Sequence, residues 1–417
     1  MGKVNVDDLR TGMVLASDLM DSMGKFLLGQ GTVIHKKHIE ILKSWGITEA
    51  DIEGLDQQKV AEETTAQIDR AVLKKCEDYV SLLFQYSNCD HEAIKELKRL
   101  KILHLTQKLS SGGNLPEIAT LEVDAANISR EKEKERLVSA EELIRNVQFI
   151  SFPDIYYRIS KVLNDPSSSV SHLAEVISKD MSLSTKLLRL ANSAFYGLPS
   201  KVDSVTRAIT LIGMDEISTL ALGVIAVRFF EGIPQKLIDM KNFWLHSIAC
   251  GTIASILARN KAKLGSAEER FFVAGLLHDM GKLVVSKAMP QSTKQAIIES
   301  RNRLTPLYRM EKEVFGFDHT TVASSLLRKW NFPVVLENMV GFHHEPSGSP
   351  SLLGASIIHF ANVMSIAFQF GHSGEIFVPP LVDLAWDTIA ISPSVLAPTL
   401  SQTEVMINEI VKHFFNE

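Results

Sequence analysis

The chain has 417 residues, 45% of them hydrophobic, a formal net charge of -5 and a pI near 6.2. That length accommodates two or three domains with a substantial core, and the slightly acidic balance speaks against broad attraction to nucleic acid or an anionic membrane. Cys76, Cys89 and Cys250 are odd in number and not closely paired, which argues against a disulfide framework or a thiolate zinc site and fits a reducing cytoplasm.

The opening MGKVNVDDLR lacks the charged-then-apolar pattern of an export signal, and Val6 stands where myristoylation requires Ser or Thr. From residue 1 to about 55, short β-type runs (VNV, MVLASD, KFLLG) alternate with Gly12, Gly24, Gly29 and Gly31, predicting a small β-containing domain. It closes with a helix over KKHIEILKSWG and an edge strand in EADIEG. Residues 56–139 read as a helical connector and linker. Ile68, Val72, Cys76, Tyr79, Val80 and Leu83 recur at helical spacing from about residue 62, and a second helix follows His91. Ile94, Leu97 and Leu100 form its apolar side, with Lys95, Lys98, Arg99 and Lys101 as a solvated face. Ser110 to Gly113 and NISREKEKERL are linker-like.

Residues 140–417 predict one helical body. ELIRNV, DIYYRISKVL, VSHLAEVISK, LSTKLLRLANSAF and SVTRAITLIG each carry a helical pattern, with Asp203 or Ser204 as a cap for the last. Asn192, Ser193 and Tyr196 read as surface-directed, forming a hydrogen-bonded helix end. The run ISTLALGVIAV falls short of the ~20 residues that span a bilayer and reads as a buried helix. TEVMINEIVKHFF closes the body as an amphipathic helix.

Across this body lie side chains that suit chemistry better than folding: His246, the pair His278 and Asp279, His319, and the pair His343 and His344. Imidazoles with a carboxylate suit a borderline or hard divalent metal (Fe, Mn, Zn or Mg), and the carboxylate can bridge ions. His246 lies in the apolar helical stretch FWLHSIACGTIASIL. His278 and Asp279 end the apolar run of FVAGLLHDMGKL, where Gly281 reads as a helix terminator. Asp318 reads as the N-cap beside His319, and Pro346 ends the stretch that carries His343 and His344. A lone histidine on an apolar helix is more often a core residue bonded to a carbonyl, the reading given to His359 and His172; the joint pattern of the other five favours a shared site.

In this order and context the residues resemble the HD superfamily of metal-dependent phosphohydrolases, and more closely its HDOD subfamily, related to the HD-GYP phosphodiesterases. The resemblance rests on SFPDIYYRISKVLNDP, SKDMSLSTKLLRLANSAFYGLPSKVDSVTRAITLIG, FWLHSIA, GLLHDMGKLV, FGFDHTTVASSLLRKWNFP and GFHHEP, and covers about residues 140–370. It implies a mainly α, multi-helix HD/HDOD-type bundle preceded by a small α+β N-terminal domain. Some members of these subfamilies carry a similar N-terminal segment. It also implies a metal site of His246, His278, Asp279, His319, His343 and His344.

Two departures qualify it. Where catalytic members place a final Asp, IIHFANVMSI places Asn362, and the GYP motif is absent from HHEPSGSPS; Lys282 persists after Gly281. An amide oxygen brings no negative charge, so a dinuclear centre is under-compensated. The expected function is regulatory signalling, with partner proteins and a nucleotide ligand, through a degenerate, weakly catalytic or non-catalytic site. The alternative is a phosphohydrolase acting on a nucleotide or cyclic dinucleotide, with Asp279 and Lys282 as its catalytic residues; a metal-free adaptor is a third class.

Overall fold

The computed structural model describes residues 2–6, 9–20, 26–44, 49–53, 70–116, 139–146, 154–229 (less 164, 166, 194, 195, 197 and 199), 238–259 and 268–415. The expected helix start near residue 62 and the charged stretch 127–137 lie outside them. Two compact units divide the chain. The first comprises Met1–Ser81, Lys98–Leu115 and Ser392–Val405, the second Leu82–Leu97, Pro116–Ile391 and Met406–Glu417.

In the first unit, short runs between turns make short strands. β1 (Gly2–Asn5), β2 (Leu19–Met20), β3 (Phe26–Leu28), α1 (Lys36–Ser44) and β4 (Glu49–Ile52) follow in order. β1 pairs antiparallel with β4, setting Val4 opposite Ala50, and β2 pairs antiparallel with β3. The run MVLASD, expected to be extended, contributes isolated bridges at Val14 and Leu15. Val4, Leu15, Ile34, Leu42 and Ile52 close a small core.

Two helices follow, α2 (Arg70–Leu83) and α3 (Glu92–Ser110). Cys76, Tyr79, Val80 and Leu83 are buried on α2 as their spacing requires. On α3 the buried stripe runs through Ile94, Leu97, Lys101 and Leu105, so Lys101 is core and not part of a solvated face. Spacings of three and four carry that stripe past Leu100. Burial, with Lys108 nearby, lowers the Lys101 ammonium to about 7.

The second unit is helical throughout; among the described residues no strand occurs within 140–417. The helices are α4 (Ala140–Asn146), α5 (Asp154–Leu163), α6 (Val170–Ser178), α7 (Met181–Ala191), α8 (Val205–Ile212) and α9 (Met214–Phe229). There follow α10 (Met240–Arg259), α11 (Glu268–Leu277), α12 (Met280–Ala288), α13 (Pro290–Asn302) and α14 (Leu307–Phe315). The last are α15 (His319–Lys329), α16 (Val334–Gly341), α17 (Leu352–Phe368), α18 (Asp383–Ile389) and α19 (Leu396–Phe415), of which the residues up to Val405 belong to the first unit and those from Met406 to the second. Ser204 caps α8 by accepting from the Arg207 amide, as the capping preference predicts. The apolar run in α9 is buried, and among the described residues no helix is long and apolar enough to cross a membrane.

Asn192 ends α7 through its side chain, donating to the Leu188 and Val202 carbonyls and accepting from the Val202 amide. Its neighbour Ser193 is buried, donating to the Leu190 carbonyl, rather than surface-directed. His172 also departs from expectation. It is exposed and completes the cap of α6 with Ser169, because it sits at the third helical position, within reach of the cap backbone.

Two close backbone approaches set the frame of the site. A Cβ at Gly275 would lie 2.5 Å from the Gly251 Cα, so α10 and α11 pack glycine against glycine. Gly281 lies inside α12, where a Cβ would meet the His319 carbonyl oxygen at 2.0 Å. Its role is therefore close packing of α12 on α15, not helix termination.

Candidate metal centre

Helix packing brings the scattered ligand candidates together. His246 projects from α10, which is buried from Phe243 to Ala258 apart from Leu245. His278 and Asp279 occupy the turn between α11 and α12, and Asp279, although at the N-cap position of α12, makes no side-chain capping bond. Its carboxylate turns into the interior instead. His319 is the first residue of α15, held by Asp318, whose carboxylate accepts from the Thr320 and Thr321 amides. His343 and His344 follow α16. His246, His278, His319 and His343 are fully buried, Asp279 is 1% exposed and His344 9%.

Asp279 is the centre of the arrangement. Its Oδ2 lies 3.3 Å from His278 Nε2, 3.5 Å from His246 Nε2 and 2.9 Å from Lys282 Nζ. Its Oδ1 faces the other side, 3.1 Å from His319 Nε2 and 3.9 Å from His343 Nε2. Two groups result: His246, His278 and Asp279, and His319, His343 and His344. Within each, one donor atom per residue lies within 4.8 Å of the others.

Behind the facing atoms, a second layer of hydrogen bonds orients the rings. His278 Nδ1 donates to the Gly275 carbonyl at 2.7 Å and His343 Nδ1 to the Val340 carbonyl at 2.8 Å. Since a neutral imidazole carries one N–H, each of these rings, when neutral, presents Nε2 as a lone pair. His246 Nδ1 meets Ser365 Oγ at 3.0 Å, and His344 stacks on the Tyr308 ring at 4.2 Å.

The donor chemistry fits a cation. Asp279 Oδ1, His343 Nε2 and Asn362 Oδ1 are buried and make no hydrogen bond among the described residues. All three are lone-pair donors, so what they lack is an electrophile; leaving them unmatched costs free energy. Nε2 atoms also face each other, His246 to His278 at 3.3 Å and His344 to His319 at 3.2 Å, an approach that requires a proton or metal between them.

The electrostatics agree. Burial pushes the Asp279 carboxyl up, but the His278 and Lys282 charges outweigh it and hold it well below the usual carboxylate range. Burial depresses His246 to about 4 and carries His343 and His344 well below the ordinary imidazole value. At His278 and His319 burial is outweighed by the adjacent carboxylates, Asp279 and Glu311 respectively, and both rise, His319 to about 9. Positive charge is therefore favoured at His278, His319 and Lys282 and refused at His246, His343 and His344.

Asn362 lies buried on α17, one turn before Ser365, whose hydroxyl meets His246. Lys282 is 6% exposed, and its ammonium bridges Asp279 and Ser373, the latter at 3.0 Å. Beside it a cavity of about 10 Å³, the room of a single water, is lined by Lys282, Glu311, Ser373, Ser286 and Thr293 among others.

Sequence reasoning passed over Glu311, Ser365 and Ser373. Glu311 Oε2 lies 2.5 Å from His319 Nδ1, yet no spacing rule links two residues on successive helices. The core reading of His359 holds: its Nδ1 donates to the His343 carbonyl and its Nε2 accepts from the Val382 amide. Both contacts require the neutral ring, and burial lowers it to about 4. The unfolded chain therefore binds more protons between the two values. This contribution is intact above about pH 6.5 and is lost progressively as the pH falls towards 4. Urea unfolding of wild type and His359→Gln across that range is expected to show a shallower acid slope in the variant; identical slopes would refute the assignment.

Residues 149–346 match the HDOD domain model. The chain carries an HDOD domain. The match includes every imidazole of the cluster, and Asn362 falls beyond it. An uncharacterised protein of Treponema pallidum is 25% identical over 223 residues, covering 53% of this chain and 42% of that protein. The uncharacterised protein YuxH of Bacillus subtilis is 34% identical over 62 residues, 15% of each chain. This chain thus spans less than half the length of either relative. Among solved structures, an HDOD domain protein of unknown function from Geobacter sulfurreducens superposes with a TM-score of 0.56 at 22% identity, covering 66% of this chain and 97% of that one. A Shewanella amazonensis protein provisionally named a phosphohydrolase gives 0.53 at 24%, covering 67% and 100%. A Marinobacter aquaeolei protein provisionally named for signal transduction gives 0.52 at 18%, covering 76% and 72%. At these identities the likeness is of fold alone.

Proposed function

We propose that this HDOD protein is a regulatory signalling module whose histidine cluster holds a divalent metal ion without forming an efficient dinuclear hydrolase. One observation carries the reading. Asp279 is the single carboxylate among the facing donor atoms of the described residues, and Lys282 already engages one of its oxygens. Two closely spaced divalent ions need more anionic charge than one carboxylate supplies, and Asn362 adds none.

His246, His278 and Asp279 would hold an ion on one side and His319, His343 and His344 on the other, with the Asn362 amide oxygen as a weak further donor. So imidazole-rich a set favours zinc or iron over magnesium, with manganese between them. When bound, such an ion supplies Lewis-acid polarisation and acidifies a coordinated water. The chain's own residues orient the donors and exclude solvent, and Lys282 keeps a cation beside the shared carboxylate. In the signalling reading the occupied cluster stabilises the surface through which partner proteins or a nucleotide ligand are engaged.

The second reading, a phosphohydrolase acting on a nucleotide or cyclic dinucleotide, draws support from Lys282, a buried cation suited to phosphate and set beside the donors. Assays with cyclic di-GMP and bis(p-nitrophenyl) phosphate in the presence of zinc, iron or manganese separate the two. Turnover at or near background is expected from the native chain, and Asn362→Asp is expected to raise metal occupancy. Strong metal-dependent turnover abolished by Asp279→Ala would establish the hydrolase instead. An unchanged metal content in Asn362→Asp would remove Asn362 as the missing ligand.

A further inference from the structure

We infer that Glu311 is a positioning residue of the metal centre: its carboxylate fixes the His319 ring so that Nε2 is presented as a ligand, and it places a second negative charge behind the cluster. The inference rests on the metal reading above. Glu311 is 5% exposed on α14, and its Oε2 accepts both the His319 backbone N–H at 3.0 Å and the His319 Nδ1–H at 2.5 Å. One oxygen thus satisfies a helix-start amide, which has no intrahelical partner, and selects the tautomer of the ring attached to it.

The contrast with the other rings gives Glu311 its weight. Through Nδ1, His278 and His343 donate to neutral backbone carbonyls and His246 meets a serine hydroxyl, whereas the His319 Nδ1 donates to a carboxylate. A charge-assisted bond is roughly twice as strong as a neutral one and makes the distal nitrogen a better donor. The same carboxylate lines the cavity beside Lys282, so its charge acts on the interior of the site. It partly offsets the charge that Asn362 fails to provide.

The test uses the full chain, with Zn2+ as the probe. Competition against a chromophoric chelator measures affinity, and long-range 1H–15N correlation of the metal-free protein reads the His319 tautomer. The wild type is expected to keep a proton on Nδ1 of His319, whether or not Nε2 also carries one, and Glu311→Gln to lose about 10–100-fold in zinc affinity with a mixed protonation pattern at that ring. Glu311→Asp, which keeps the charge but shortens the reach, is expected to fall between them. An Nε2–H tautomer at His319 in the wild type would overturn the inference, even if neither variant folds. So would Glu311→Gln binding zinc as tightly as wild type. A wild type that binds no zinc but keeps the Nδ1 proton overturns the metal reading and leaves Glu311 a structural cap only.

Discussion

Asp279→Ala is expected to abolish metal binding and also to destabilise the helical unit by about 3–5 kcal/mol, the range for breaking a buried ion pair from one side. The reason lies in Lys282. Its ammonium is 6% exposed, and burial would lower its affinity for a proton were it not for Asp279, whose charge holds it raised. Removing the carboxylate leaves that cation with the Ser373 hydroxyl and more distant acids. It also removes the shared anion from every facing imidazole. The double variant Asp279→Ala with Lys282→Met separates the effects: stability should recover in large part, because no uncompensated charge remains, while metal binding stays lost. Denaturant unfolding of the three proteins in chelator checks this. Equal stability of Asp279→Ala and wild type would mean that the ion pair contributes nothing.

The next largest effect is expected at Gly281. A methyl group there would sit 2.0 Å from the His319 carbonyl oxygen and 3.1 Å from the Ala323 amide nitrogen, both backbone atoms that no side-chain rotation can move. Overpacking usually costs roughly 1–3 kcal/mol, and a clash between two helix backbones belongs at or above the top of that range. Gly281→Ala is thus expected to lower stability by about 3 kcal/mol or more. It should also weaken metal binding, since α12 carries Lys282 and follows Asp279 while α15 carries His319. Thermal unfolding and zinc affinity measured together decide it. A variant as stable as wild type with unchanged affinity would show that α12 and α15 separate freely and that their contact does not set the site.

Much of this architecture is legible in the sequence, and the reasons are physical. Apolar residues at spacings of three and four mark helices whether or not their partners are known, so α2, α8, α9 and α10 follow from pattern alone. The cluster was legible by residue type, because imidazoles and a carboxylate on core helices are costly unless something satisfies them. What escaped depends on tertiary approach. Gly281 next to a ligand pair looks like a helix end until the opposing backbone is known. Lys101 looks solvated beside Lys98 and Arg99 because the buried stripe continues past Leu100. Glu311 lies eight residues before His319 in a helix of ordinary charged composition, and only the turn at Gly316 brings it back onto that ring.

The central claim, a single-carboxylate cluster that holds metal but does not make a full dinuclear centre, is tested most directly by metal stoichiometry. Purified without chelator and titrated with Zn2+, Mn2+ or Fe2+ under anaerobic conditions, the native chain is expected to retain about one tightly held ion by elemental analysis. Asn362→Asp is expected to hold more, and Asp279→Ala none. Two tightly bound ions in the native chain, or no ion at any concentration tested, would contradict the account.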